Sequence, residues 1–455
     1  MRISIAGTGY VGLVTGVCLA EKGHQVTCID VIEEKVQAIN EGVPPIYEDG
    51  LAELLSRNIG THLRATTDLA QAVQDTDLTM IAVGTPFDGQ EIDLTYIRQV
   101  AGQIGKALRD KDGYHVVVVK STVVPGTTQE VVQPIVEQAS GKRAGPDFGI
   151  GMNPEFLREG NAIADFLNPD RIVLGGIDAR TLDALQALYA PFEGVDQLCT
   201  TPKTAEMIKY TANSLLATMI SFSNEIANLC TALGGIDVVD VMRGVHLDKR
   251  LTPIMPDGSR VVPAFTTYLE AGCGFGGSCF PKDVKALIAH GEKAGSPMPI
   301  LDAVIQTNAR QPHQVIELLH KHFPSLQGVR TTVLGLAFKP GTDDMRESPA
   351  IPVIRELLAS EAEVKAYDPI ATHEAEKLFS GDPIEYCDSI DEAIADSEAI
   401  VLLTRWPEFE SLPRRLPGGA ASNGHRGPLV VDGRRMLDKQ SVAHYEGIGL
   451  SGLHD

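Results

Sequence analysis

Residues 2–30 constrain the fold more than any other stretch of this chain. RISIA (2–6) reads as a short buried strand, and GTGYVG follows at once, with Gly7, Gly9 and Gly12 in G-x-G-x-x-G spacing. Residues 10–22 then read as a helix, and HQVTCID (24–30) as a second strand ending in Asp30. The first glycine permits a tight turn, the second lets a pyrophosphate approach, and the third lets helix pack on strand. The start of the helix offers N–H groups and the positive end of its dipole to phosphate. Gly7, Gly9, Tyr10, Val11 and Gly12 are therefore expected at a dinucleotide. Asp30 would accept hydrogen bonds from the adenosine ribose and repel a 2′-phosphate, which favours NAD over NADP. The plain alternative is a glycine turn of structural use only. Strand, glycines, helix, strand and acid in this order argue against it.

More β/α units follow. LTMIAVGTP (78–86) is an apolar strand ending in Gly84, Thr85 and Pro86, and YHVVVVKSTVVPGTT (114–128) is another, with Ser121 and Thr122 at its end. Ligands of open parallel sheets lie at the carboxyl ends of strands, so these two ends are expected to line the nicotinamide side. Thr85 and Thr122 as caps of following helices are an equally simple reading. FGIGMNPEFLREG (148–160) is a further strand and loop. A helix there would set Glu155 and Glu159 on one face, either as working carboxylates or as a solvated acidic helix start.

From about residue 200 the pattern changes. TPKTAEMIKYTANSLLATMISFSNEIANLCTALG reads as one long helix ending near Gly234–Gly235. It is widely apolar, so it joins domains or packs against a partner subunit. Lys209 and Asn213 share a face of it, to polarise a substrate oxygen or as ordinary surface residues. Residues 250–271 carry prolines at 253, 256 and 263 and read as an irregular loop. GCGFGGSCFPKD (272–283) comes next, then a helix over about 282–294. Glycines before Cys279 would leave its thiol room to reach a ligand, and Lys282 or the helix start would favour the thiolate. A glycine-rich turn around an inert cysteine is the competing reading.

A third region begins near 328. GVRTTVLGLAFKP is a strand and turn, SPAIPVIRELLAS a helix, and AEVKAYDP a strand ending in Asp368. The first eighty residues have the same order. DEAIADSEAIVLLTRWPEF (391–409) likewise echoes DLAQAVQDTDLTMIAVGTPF (68–87). The expected architecture is α/β: two Rossmann-like doubly wound domains joined by a long central helix and a helical middle domain. Boundaries are set at 1–198, 199–310 and 311–455. The second half lacks G-x-G-x-x-G, so it binds a different nucleotide or none. Lys339, Arg346, Arg434 and Arg435 lie near its strand ends, where they suit phosphate or carboxylate, or are plain surface charge. Residues 414–428 read as a surface loop.

The totals narrow the partners. A formal charge of −21 disfavours nucleic acid and anionic membrane but not a small anion held by a few placed cations. Seven cysteines without a C-x-x-C pair fit a reducing cytoplasm, and their spacing supports no metal site. Glycines interrupt the apolar start of the chain, which is therefore not read as a leader. No stretch has the unbroken apolar length of a membrane span.

Together, GTGYVG (7–12), VGTP (83–86), KSTV (120–123), NPEFLREG (153–160), K-x3-N (209–213), GFGGSCFPKD (274–283), GLAFKPGTDDMRESP (335–349) and DGRR (432–435) resemble the UDP-glucose/GDP-mannose dehydrogenase family, in family order across nearly the whole chain. The resemblance implies a four-electron oxidation of a sugar-nucleotide alcohol to a carboxylate with two NAD. Cys279 is then the covalent nucleophile. Lys209 stabilises the oxyanion with Asn213 beside it. Asp283 and Thr122 handle water, and Glu155 serves acid–base work in thioester hydrolysis. It also assigns Lys35, Thr85, Pro86, Ser121, Thr122, Glu159, Lys282 and Arg346 to the cofactor. The sugar nucleotide is given Glu155, Phe156, Leu157, Lys209, Asn213, Tyr268, Leu269, Gly272, Gly276, Phe338, Lys339 and Arg434, with residues 270–276 wrapping it. Arg250 matches an arginine donated across a dimer interface, although the proline-rich segment after it is longer than the family spacing. Cys273 is expected to pack, with redox pairing to Cys279 as the alternative. A homodimer or higher homo-oligomer is expected. NPDRIVLG (168–175) leans towards members acting on UDP-glucose, with GDP-mannose or a UDP-N-acetylhexosamine as the alternative. A nucleotide-sugar sensor would need neither Cys279 nor Lys209, and a two-electron hydroxyacid-type dehydrogenase would need no cysteine.

Overall fold

The computed structural model describes residues 1–416 and 427–451. The chain divides into two compact units, Met1–Ala212 and Asn213–Asp455. The strands of the first are β1 (Arg2–Ala6), β2 (Gln25–Ile29), β3 (Leu63–Thr66), β4 (Leu78–Ile81), β5 (His115–Val119), β6 (Phe148–Met152), β7 (Ile172–Gly176) and β8 (Gln197–Thr200). They form one sheet in the order β3-β2-β1-β4-β5-β6-β7-β8. The first six have the doubly wound dinucleotide-fold order, parallel throughout. Strand β7 then reverses against β6, and β8 runs parallel to β7. Strands β4, β5, β6 and β7 are buried at every position, as strands with helices on both faces must be. Two apolar clusters fill the faces, one around Leu13, Val17, Leu55 and Leu185, the other around Ile97, Ile104, Val117 and Val136.

The second unit repeats the plan. Strands β9 (Arg330–Leu334), β10 (Glu363–Tyr367), β11 (Ile384–Tyr386), β12 (Ala399–Leu402), β13 (Leu429–Asp432) and β14 (Tyr445–Gly447) lie in the order β11-β10-β9-β12-β13-β14, all parallel. The echo between 68–87 and 391–409 is thus a structural one. Each segment supplies a short helix and then the strand beside the first strand of its sheet, β4 on β1 and β12 on β9.

The long helix forms over Pro202–Leu233 and stops before Gly234 and Gly235, both at positive φ. After it come helices Val238–His246, Phe280–Lys293 and Pro299–His320. Residues 250–271 are irregular as expected, apart from an Ile254–Arg260 bridge and a 3-10 turn over Ala264–Leu269. The strand expected over 114–128 ends at Val119, and Thr128–Val132 is a π-helical turn. Of the expected loop 414–428, residues 417–426 lie outside the described residues, and Leu412–Arg415 is a helical turn. No described helix is long and apolar enough to cross a membrane.

Candidate active site

The dinucleotide fingerprint has the geometry its glycines allow. Gly7 sits at φ +103°, and a Cβ there would lie 2.6 Å from the carbonyl oxygen of Ala82. A Cβ on Gly12 would lie 1.9 Å from the carbonyl oxygen of Gly7. Gly9, the N-cap of helix Tyr10–Glu21, has nothing within 4 Å of that position. Two glycines therefore admit protein backbone and the middle one faces open space, which is what a pyrophosphate needs. Asp30 accepts from Thr8 N–H at 3.1 Å, Thr8 Oγ1 at 2.5 Å and Ile32 N–H at 3.1 Å. Partial burial raises its pKa, but these bonds and the charge of Lys35 outweigh burial and hold it below the usual value. It is an ionised acceptor at the end of β2, as a ribose requires. Tyr10 donates a hydroxyl hydrogen bond to Glu48, which also accepts from the amides of Gly160 and Ala162.

The ends of β4 and β5 are tied to each other. Thr85 Oγ1 donates to the carbonyl of Thr122 at 2.7 Å, and Ser121 Oγ to that of Val83 at 2.7 Å. Thr85 therefore caps no helix, and the alternative reading of it falls. Thr122 is half-buried and Pro86 exposed.

A helical face shared by Glu155 and Glu159 does not form, because residues 153–158 have no regular structure. Pro154 disfavours helical backbone at Asn153, and Glu155 Oε2 accepts the amide of Leu157 at 2.7 Å. Nor is Glu155 solvated. It is buried and forms a 2.7 Å ion pair with Lys209, whose side chain is 4% exposed. The surface reading of Lys209 falls with it. Burial pushes the Glu155 pKa up, but the charge and hydrogen bond of Lys209, the Leu157 amide and Lys120 bring it below the ordinary value. Phe156 lies under two cations, Arg171 at 4.0 Å and Lys209 at 5.6 Å from its ring centre. Leu157 packs, half-buried, on the first apolar cluster.

In the second unit, Cys279 is the half-buried N-cap of helix Phe280–Lys293, with Ser278 Oγ 3.5 Å from its sulfur. Unpaired N–H groups and the positive end of the dipole gather at such a position, which suits a thiolate. One turn on, Asp283 is 1% exposed. Its carboxylate accepts from Asn213 Nδ2 and from Lys282 Nζ, both at 2.6 Å. Asn213 is thus committed to Asp283 rather than to the surface, and Lys282 to Asp283 rather than to the thiol.

The glycine run before Cys279 is packed against protein. A Cβ on Gly276 would meet the carbonyl oxygen of Glu347 at 2.2 Å, and one on Gly277, at φ +84°, the ring of Phe338 at 2.7 Å. Gly272 gives its amide to Asn224 Oδ1 at 2.8 Å. Asn308, which no motif flags, clamps Phe275 by accepting its amide at 2.8 Å and donating to its carbonyl at 2.9 Å. It stands on helix Pro299–His320, outside every motif of the sequence, so sequence reasoning misses it. Arg434 bonds carbonyls of three segments: Leu403 at 2.6 Å, Gly274 at 2.8 Å and Phe338 at 3.4 Å. Lys339 is half-buried beside the Phe338 ring, Tyr268 lies tilted against Phe280 with ring centres 6.3 Å apart, and Leu269 is buried. Arg346 and Arg250 are exposed and hold Asp344 and Asp248. Cys273 is fully buried, its thiol facing the carbonyl of Leu403, and it forms no disulfide with Cys279, so it packs.

Three family models cover the chain in series: the NAD binding domain at residues 1–193, the central domain at 203–310 and the UDP binding domain at 332–439. The chain belongs to the UDP-glucose/GDP-mannose dehydrogenase family. Its cofactor is accordingly NAD, and it is an oxidoreductase. A UDP-glucose 6-dehydrogenase of Haloferax volcanii is 43% identical over 455 residues, covering 98% of this chain and all of that one. A GDP-mannose 6-dehydrogenase of Pseudomonas syringae is 40% identical, covering 92% of this chain and 94% of that one. Among solved structures, a UDP-glucose dehydrogenase from Pyrobaculum islandicum matches with a TM-score of 0.87 at 39% identity, covering 99% of this chain and 98% of that one.

Proposed function

We propose that this member of the family oxidises UDP-glucose to UDP-glucuronate through a covalent intermediate on Cys279. The observation that carries the reading is Cys279 at a helix N-cap with Asp283, buried and bonded to Asn213, one turn behind it. Residues 1–198 hold NAD through Gly7, Gly9, Gly12 and Asp30, with Lys35, Thr85, Ser121 and Glu159 at its edges. Residues 199–310 carry the thiol, and residues 311–455 hold the sugar nucleotide through Phe338, Lys339 and Arg434. Bound there, NAD would supply the hydride acceptor for each of two oxidations at the sugar carbon. Lys209 offers its ammonium to the oxygen that gains charge, and Asn213 donates beside it. The Cys279 thiolate adds to the aldehyde, giving a thiohemiacetal whose oxidation leaves a thioester. Asp283 and Thr122 orient water on the thioester carbon and Glu155 takes its proton. The carboxylate forms as the C–S bond breaks and the thiol is restored.

UDP-glucose is supported by relatives bearing that name at 40–43% identity. The GDP-mannose relatives at 40% keep a second reading, in which another sugar nucleotide is oxidised by the same steps. NADH yield over UDP-glucose, GDP-mannose and UDP-N-acetylhexosamines separates them. Two NADH per UDP-glucose without free aldehyde are expected. Cys279→Ser should abolish turnover and leave NAD binding intact. One NADH per sugar, or an active Cys279→Ser, would sink the covalent route.

A homodimer is part of the proposal. Leu215, Phe222 and Leu229 recur every seven residues along the long helix and are 58%, 51% and 53% exposed. Such a stripe is the seam by which two helices pair. Sedimentation of Phe222→Glu should give monomers; an unchanged assembly would remove this face from the interface. A cytoplasmic location accords with seven cysteines of which none is in a disulfide.

A further inference from the structure

Lys120 is a charge that the mechanism above leaves unused. It follows β5 directly, its side chain is buried, and Lys120 is 3% exposed overall. Its Nζ donates to Asn153 Oδ1 at 2.8 Å and to Tyr189 Oη at 3.4 Å, and stands 5.7 Å from the centre of the Phe166 ring. Among the described residues, then, its hydrogen bonds go to neutral atoms. A buried ammonium with no direct counter-ion is costly, and such a cost is usually borne for a function. Burial pushes Lys120 down to about 8, with Glu155 pulling it up and Lys209 pushing it further down. Those two are the charged groups that act on it, and the three form one electrostatic set.

The covalent path to Glu155 is short. Asn153 follows β6 as Lys120 follows β5, and the Asn153 amide donates to the carbonyl of Val119 at 2.9 Å. Asn153 also gives Nδ2 to the Val173 carbonyl at 2.9 Å and accepts the Tyr189 hydroxyl at 2.5 Å. Its side chain is thereby fixed between β7, Lys120 at the end of β5 and Tyr189 at the end of helix Ala179–Leu188, and Pro154 and Glu155 come next.

We propose that Lys120 is a positioning residue for Glu155, holding the 153–155 turn through Asn153 and standing as a second positive charge behind the carboxylate. The inference rests on the role given to Glu155 above. During oxidation Lys209 must turn its ammonium to the substrate oxygen, which weakens its hold on Glu155. Lys120, which has no substrate to serve, keeps the carboxylate ionised and ready to take the proton of water in the last step.

The test is thioester hydrolysis by Lys120→Met and Lys120→Gln against pH, with NAD binding as the check on the first unit. Gln keeps a donor for Asn153 and removes only the charge. Both variants should bind NAD within about twofold of the parent and show an acid limb of hydrolysis moved upward by about one pH unit, so that on that limb they hydrolyse up to about tenfold more slowly, with Lys120→Met, which also loses the bond to Asn153, the slower of the two. In a Glu155→Gln background the Lys120 changes should add nothing. Parental rates and limbs in both variants would overturn the inference. So would failure of both to fold, which would make Lys120 a structural prop. If Glu155→Gln itself hydrolyses normally, the role of Glu155 has failed instead, whatever Lys120 does.

Discussion

Replacing Lys209 by methionine removes one half of a buried ion pair and keeps most of the side-chain volume. Glu155 and Lys209 are 2.7 Å apart with side chains 5% and 4% exposed, so water cannot take the place of the lost ammonium. Breaking a buried pair from one side costs about 3–5 kcal/mol. The Leu157 amide and the charge of Lys120 remain on the carboxylate, which puts the expected loss at the lower end, about 3 kcal/mol. In the parent, burial raises the Glu155 pKa but Lys209 and its companions bring the net value below the ordinary one. Its contribution to stability is therefore present above the unfolded pKa and lost as pH falls through the folded one. Without Lys209 burial dominates, and the folded pKa moves above the unfolded one. The deficit should be largest at neutral pH and shrink as pH falls to about 4 and below, where the variant and the unfolded chain become protonated first and the folded parent last. Urea denaturation of the parent and variant at several pH values measures this. Adding Glu155→Gln should recover most of the loss, a coupling above about 2 kcal/mol. A deficit below about 1 kcal/mol, or one independent of pH, would mean that the pair is no more than a surface contact.

Gly276→Ala would place a Cβ 2.2 Å from a backbone oxygen of Glu347, so the 338–347 segment has to shift. A loss of about 1–3 kcal/mol by thermal melting is expected, with KM for the sugar nucleotide rising more than KM for NAD; equal changes in both would contradict it. Glu206 is buried on the long helix and accepts from the Gly126 amide at 2.6 Å and from Thr128 N and Oγ1 at 2.8 and 2.6 Å. Burial raises its pKa to about 7 against the lowering effect of those donors. With the folded pKa above the unfolded one, stability falls as pH rises between 4.5 and about 7. Glu206→Gln should flatten that slope, measured by urea midpoints at both ends of the range.

What the sequence makes legible is whatever repeats at short range. The G-x-G-x-x-G turn, the strand ends and the two matching halves all appear, because each depends on neighbours in the chain. The helix Pro299–His320 stays hidden because Pro312 lies inside it and reads as a breaker. Val238–His246 follows too closely on two glycines to stand out. The Glu155–Lys209 pair is illegible for a different reason. Each residue has an i,i+4 companion, Glu159 and Asn213, that draws the eye to its own element, whereas the bond that forms joins two distant elements. Asn308 carries no pattern, since a clamp on a loop needs only one amide in the right place.

The two strand-terminal aspartates show where an internal echo stops being informative. Asp30 and Asp368 hold the same station, each just after the second strand of its sheet. Asp30 is half-buried and takes three donors, all from Thr8 and Ile32, and the helix start beside it at Gly9 faces open space. Asp368 is 3% exposed. Its Oδ2 accepts from the amides of Leu336 and Ala337 and from Trp406 Nε1, and its Oδ1 from the amides of Ile370 and Ala371. A carboxylate has about four good acceptor sites, so Asp368 has none left for a ribose. The turn amides that a pyrophosphate would need are the ones it has consumed. Gly335, at φ +93° with Thr404 2.5 Å from its absent Cβ, repeats the close packing of Gly7, but buried Ala337 stands where Gly9 leaves the first turn open. The second half therefore keeps the strand order of a dinucleotide fold and gives up its dinucleotide site. Any nucleotide it holds must be gripped from elsewhere, and the proposed contacts of Phe338, Lys339 and Arg434 meet that requirement.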